Sequence, residues 1–150
     1  MKKTITKIGI VMLLAITATT FNSCKKAKIK GCTSSQATNF KSDAEEDDGS
    51  CSYSGEMVFW YDQTAANMLS SAGVTGIYYY VDGSLGGSSA NVYYSSAPSC
   101  GGNGTVTVSK TWKGGTSSGS SYSVKDQTGT VIGSGSVTFN ANTCTKLQLQ

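Results

Sequence analysis

The chain predicts an all-β domain, an antiparallel β-sandwich of about seven strands with immunoglobulin-like or transthyretin-like architecture, carrying one short helix. Three observations lead there. Runs of four to ten residues rich in Val, Ile, Thr, Tyr and Phe alternate at period two between clusters of Gly, Ser, Asn and Asp. Turn signals recur at the spacing expected of a sandwich. Four cysteines beyond the start of the chain can staple a small core in an oxidising compartment.

Met1 to Ser23 has the shape of an export leader: Lys2, Lys3 and Lys7 precede the uncharged apolar run Ile8 to Ala18, too short to span a bilayer comfortably. Phe21-Asn22-Ser23-Cys24 resembles a bacterial lipobox, which implies lipid modification of Cys24 and a membrane anchor. Five cysteines are an odd number, and setting Cys24 aside leaves four to pair. Residues 24–30 then form a short basic tether, read as a solvated spacer or as a surface for anionic headgroups.

Residues 31–53, GCTSSQATNFKSDAEEDDGSCSY, are framed by Cys32 and Cys51. Pairing them closes a loop of about twenty residues and removes roughly 3 kcal/mol of unfolded-state entropy, enough to order a segment with almost no core. Asp43, Glu45, Glu46, Asp47 and Asp48 raise the question of calcium. Counted back from Gly49, the first ligand position of a calcium loop falls on Ala44 and the bidentate position on Gly55, so a solvated acidic turn is expected and no metal. The pattern GCT…A.NF…DDGSC.Y resembles a cysteine-framed unit of secreted and surface proteins of the Bacteroidota. That resemblance implies a linker between an anchor and another domain.

Residues 54–150 supply the sandwich. Glu56 to Asp62 reads as the first strand, and Thr64 to Gly73 as a short helix capped by Thr64 and stopped by Gly73. Gly76 to Val81 is a second strand ending in an Asp82-Gly83 turn, and Asn91 to Ser95 a third. Three further runs lie between Cys100 and Cys144, the last broken near Gly133 or Gly135, and Thr145 to Gln150 closes the domain. Alternation points Phe59, Ile77, Tyr79, Val81, Val106, Val108, Tyr122, Val124, Val137, Phe139, Leu147 and Leu149 inward. A Cys100–Cys144 bridge would contribute roughly 4 kcal/mol. Four cysteines allow three connectivities, and locality favours Cys32–Cys51 with Cys100–Cys144. Phe59-Trp60, Tyr80 to Gly83, Ser96 to Gly101 and Cys144 to Leu147 together resemble a small C-terminal module of Bacteroidota lipoproteins, a likeness that implies no activity.

Composition narrows the function. Histidine and arginine are absent, which removes the commonest acid–base and metal side chain and the usual phosphate clamp. Of twelve lysines three belong to the leader, leaving nine against nine carboxylates, so no basic face for nucleic acid is expected. Glu56, Asp62, Asp82 and Asp126 sit in strand ends and turns that solvation explains, and no serine has a partner base. A non-enzymatic protein without cofactor is expected, held by lipid at the bacterial outer membrane or cell surface, with a structural or protein-interaction role. The alternative is a glycan-binding module. Trp60, Tyr78 and Tyr80 are the candidate ligand-binding residues, since each points away from the inward set and the three form an aromatic shelf if their strands share one sheet.

Overall fold

The computed structural model describes residues 26–150. The leader and Cys24 lie outside the described residues. Seven long strands form two sheets, as the alternation requires. β3 (Ser52–Trp60) lies between β6 (Val106–Lys113) and β9 (Cys144–Gln148), antiparallel to the first and parallel to the second. Opposite it, β5 (Ser84–Ala90), β4 (Gly76–Val81), β7 (Ser117–Asp126) and β8 (Val131–Asn140) pair antiparallel in that order. Immunoglobulin constant domains group the first, second, fifth and fourth strands instead. Counted from β3, the grouping here is fourth-first-seventh against third-second-fifth-sixth, a sandwich with a different strand grouping from the immunoglobulin constant type.

Met57, Phe59, Tyr61, Ile77, Tyr79, Val81, Val124 and Phe139 fill the space between the sheets. Phe59 meets Tyr79 across the gap with ring centroids 4.8 Å apart. All twelve residues expected to face inward belong to this cluster or pack against it. Where β5 meets β6 the sheets nearly touch. A Cβ on Gly86 would stand 2.5 Å from a Val108 methyl, and one on Gly87 2.7 Å from Val106, so only glycine admits this approach.

Several boundaries differ from expectation. The first strand starts at Ser52 rather than Glu56 and so crosses the limit drawn between 53 and 54. Helix α1 (Gln63–Ser71) is capped by Asp62, whose Oδ1 accepts from Ala65 N at 3.0 Å, rather than by Thr64. The strand expected at Asn91 to Ser95 is a loop, because its side chains are committed elsewhere. Asn91 Nδ2 donates to Ala66 O and Ser70 Oγ, Tyr94 Oη donates to Gly104 O, and Tyr94 N reaches Tyr61 O. The third strand is instead Ser84–Ala90, a Gly- and Ser-rich stretch. A register shift opposite Val124 and Lys125 falls at the Gly133 end of β8, where a break was expected.

Both disulfides pair neighbours in sequence, Cys32 with Cys51 and Cys100 with Cys144. Cys144 lies beside Glu56 on the outer side of the three-stranded sheet. Its bridge to Cys100, with Gly101 N donating to Thr107 Oγ1, folds the 91–105 loop over that side. Val58, which points into it, is fully buried.

The cysteine-framed unit is docked rather than loose. β1 (Lys30–Gly31) pairs parallel with β2 (Glu46–Asp47), and Cys32, Ala37 and Cys51 share a small core with Tyr53, Ala141 and Trp112 of the sandwich. Trp112 stacks on Tyr53 at 6.3 Å, and Asn142 Nδ2 donates to Gln36 O.

Candidate functional site

The three aromatic candidates do not assemble. Trp60 is on β3 and faces outward from the three-stranded sheet, half-buried, its Nε1 enclosed without a hydrogen-bond partner among the described residues. Tyr78 and Tyr80 are on β4 and face outward from the four-stranded sheet, on the opposite side of the sandwich. An aromatic shelf of all three is therefore excluded: alternation gave each side chain its face correctly, but the two strands belong to different sheets. What remains is the pair Tyr78 and Tyr80, and the Lys125 ammonium sits over the Tyr80 ring at 4.8 Å. Tyr78 is the more open of the two, 37 % exposed.

The acidic turn is internally satisfied. Asp47 Oδ1 accepts from Gly49 N at 2.8 Å and Asp48 Oδ1 from Ser50 N at 2.9 Å, while Glu46 pairs with Lys30 at 3.4 Å. The Ser50 hydrogen bonds hold the Asp48 carboxyl below its ordinary range. Among the described residues no group of three or more His, Cys, Asp or Glu side chains is placed to hold a metal ion.

An apolar concavity lies elsewhere, at the end of the sandwich away from the cysteine-framed unit. The two sheets are joined along the β8–β9 seam near Thr138, whose carbonyl accepts from Thr145 Oγ1 at 3.4 Å. From there the seam opens toward Ile132 on one side and Leu149 on the other, and α1 closes the back. The resulting cleft holds about 500 Å³ and is walled by Tyr61, Leu69, Val74, Ile77, Val124 and Leu149. Its cause is local: Gly133 and Gly135 fall on the inner row of β8 without side chains, and of the two Gly133 lines the cleft. The Tyr122 ring takes the space beside Gly135, where a Cβ would come within 2.9 Å, and the space beside Gly133 stays open.

No charged side chain lines this cleft. Tyr61 is buried, and burial, followed by the neighbouring Tyr79, pushes its phenol far above the ordinary range. The side chains of the cleft offer mainly apolar contact, with Gln148, Gln150 and Ser134 among its lining. Sequence reasoning placed the glycine break but did not connect it to a cleft. The signal was available as two glycines on the inward row of a strand that is otherwise Val137 and Phe139 on that face.

On the opposite seam the polar groups serve the fold. Asp82, at the β4–β5 turn with φ of 48°, accepts from Lys110 Nζ at 2.8 Å, Ser120 Oγ at 3.0 Å and Ser121 N at 2.9 Å. The Lys110 hydrogen bond, then the Ser121 amide, holds its carboxyl below the usual carboxylate range. This ion pair latches β6 to the β4–β7 layer.

Comparison with protein families, curated proteins and solved structures finds no match to this chain.

Proposed function

We propose that this protein is a lipid-anchored, non-catalytic interaction module of the bacterial envelope, held through Cys24 and presenting its sandwich away from the membrane. The observation that carries this reading is the polarity of the molecule. The tether enters at Lys30, beside the cysteine-framed unit, and that unit shares a core with the Tyr53 end of β3. The cleft opens at the other end, beside Tyr61. β3 has nine residues, so the two ends stand roughly 30 Å apart. A docked rather than floppy connector supports a reading in which the cleft end faces away from the anchor. The neutral balance beyond the leader and the apolar cleft favour contact with an uncharged partner surface over nucleic acid or a phosphorylated ligand.

The test is export of the full chain and of a Cys24→Ser variant in a Gram-negative host fed an alkyne-tagged fatty acid. The expected result is a tagged, membrane-associated protein and an untagged variant released from the membrane. An untagged wild-type chain recovered in the soluble fraction would refute the anchor.

A further inference from the structure

We infer that the open edge of β8, from Val131 to Ser136, is a strand-addition site that takes an extended peptide segment with apolar residues at alternate positions, those side chains entering the adjacent cleft. This deepens the interaction reading above and rests on it.

The argument starts from backbone hydrogen bonds. Among the described residues β8 has a single neighbour, β7, and so one side of its ladder is unpaired there. Which residues present that side follows from two independent contacts. Ser121 of β7 turns both its groups toward β4: its N–H donates to Asp82 Oδ1 and its carbonyl accepts from Asp82 N. Ser136 lies opposite Ser121 and therefore points its own N–H and C=O away from β7. The Thr138 carbonyl, two residues on, accepts from Thr145 Oγ1 across the seam and so points the same way. By alternation Ser134 does too. Among the described residues nothing pairs with the outward backbone groups of Ser134 and Ser136.

Edge strands are ordinarily protected by charges, proline or a covering element. Val131–Asn140 contains no charged residue and no proline, and its covered part is only the end near Thr138. Ser134 and Ser136 are exposed. An incoming strand hydrogen-bonded to these residues would continue the four-stranded sheet. Its inward side chains would lie beside the open position of Gly133, over a cleft of about 500 Å³ with no charged side chain on its walls. Only an extended backbone satisfies the edge, and only apolar side chains suit the cleft, which together name the occupant. A small apolar molecule would fill the cleft and leave the edge unpaired.

The experiment uses the full chain in whichever form fractionation yields it, in lipid nanodiscs if membrane-held or free if released, so that failure of the anchor and failure of strand addition are separate results. Fluorescent heptapeptides alternating Thr with Leu, Ile, Val, Phe or Met are screened by anisotropy. The best binder is repeated with N-methyl groups on the amides that would pair. Three results are expected: binding at least tenfold weaker for the N-methylated peptide, a similar loss in Ser134→Pro, and slowed amide exchange at Ser134 and Ser136. Proline at this position removes an N–H that the folded ladder does not use, so the fold should persist, and the N-methylated peptide decides the matter if it does not. Met68→Lys, a surface change at the cleft rim, should weaken binding as well. Binding indifferent to both N-methylation and Ser134→Pro would overturn the inference in favour of a cleft ligand. A dimer abolished by Ser134→Pro would assign the edge to a second copy and overturn it. So would the failure of every peptide to bind.

Discussion

Gly86→Ala tests whether the close approach of β5 and β6 holds the sandwich together. The new Cβ would lie 2.5 Å from Val108 Cγ2 and 3.4 Å from Cγ1. Carbon atoms in contact settle at about 3.5–4.0 Å, so the first distance is short by about 1 Å or more. Val108 cannot swing clear, being β-branched and set in a strand paired residue by residue with β3. Overpacking of this kind costs about 1–3 kcal/mol. The loss of unfolded-state freedom in replacing glycine offsets about 0.4–1 kcal/mol, leaving a net cost of up to about 2.6 kcal/mol. Val108→Ala alone removes two methyl groups from a partly buried site and should cost up to about 1.6 kcal/mol. In the double variant the clash is gone, so the two costs should fall short of their sum by about 1 kcal/mol or more. Denaturant unfolding of the four proteins with disulfides intact measures this, provided the slopes agree. Costs additive within about 0.3–0.5 kcal/mol would refute the steric account.

Two further outcomes follow from the same structure. Replacing Cys100 and Cys144 by Ala together opens a loop with a sequence separation of 44, and should lower stability by about 4 kcal/mol in the chain-entropy model; thermal unfolding checks the loss, and hydrogen exchange should show faster exchange at Val58. Asp82 has a folded-state pKa below its unfolded value, so its contribution is complete above about pH 4 and is lost as pH falls through the folded value. Asp82→Asn should be less stable at pH 7 and show a shallower fall in stability on acidification, the remaining slope belonging in part to Asp48 and Asp126, which are also held low; an unchanged acid slope by denaturant titration would count against the latch.

Much of the sandwich was legible because alternation is a local property. Ile77, Tyr79 and Val81 announce an inward row whatever surrounds them, and all of the expected inward residues lie in or against the core. Ser84–Ala90 was not legible, since Ser-Leu-Gly-Gly-Ser-Ser-Ala has poor strand propensity and is a strand because Gly86 and Gly87 meet Val108 and Val106. Asn91 to Ser95 failed in the opposite sense: its composition suits a strand, but Asn91 and Tyr94 spend their polar groups on α1 and Gly104. The aromatic shelf failed for a different reason. Period-two patterning assigns a face within one strand and carries no information about which sheet the strand joins, and that choice separates Trp60 from Tyr78 and Tyr80. The cleft was hidden for the same reason, being made by two strand edges and a helix that meet only in three dimensions.

The parallel pairing of β3 with β9 sets an order of events. Glu56 and its partner Cys144 stand about 90 positions apart in the chain, and such distant pairings close slowly. A polypeptide emerging N-terminus first exposes Cys32 and Cys51 early, and their 19-residue separation lets that bridge form while most of the sandwich is still unmade. β3 emerges next and then waits, one flank bare, until the final strand arrives. Cys100 waits for the shorter interval of its own separation, 44, before its partner emerges. The central strand is thus among the first to appear and the last to be enclosed.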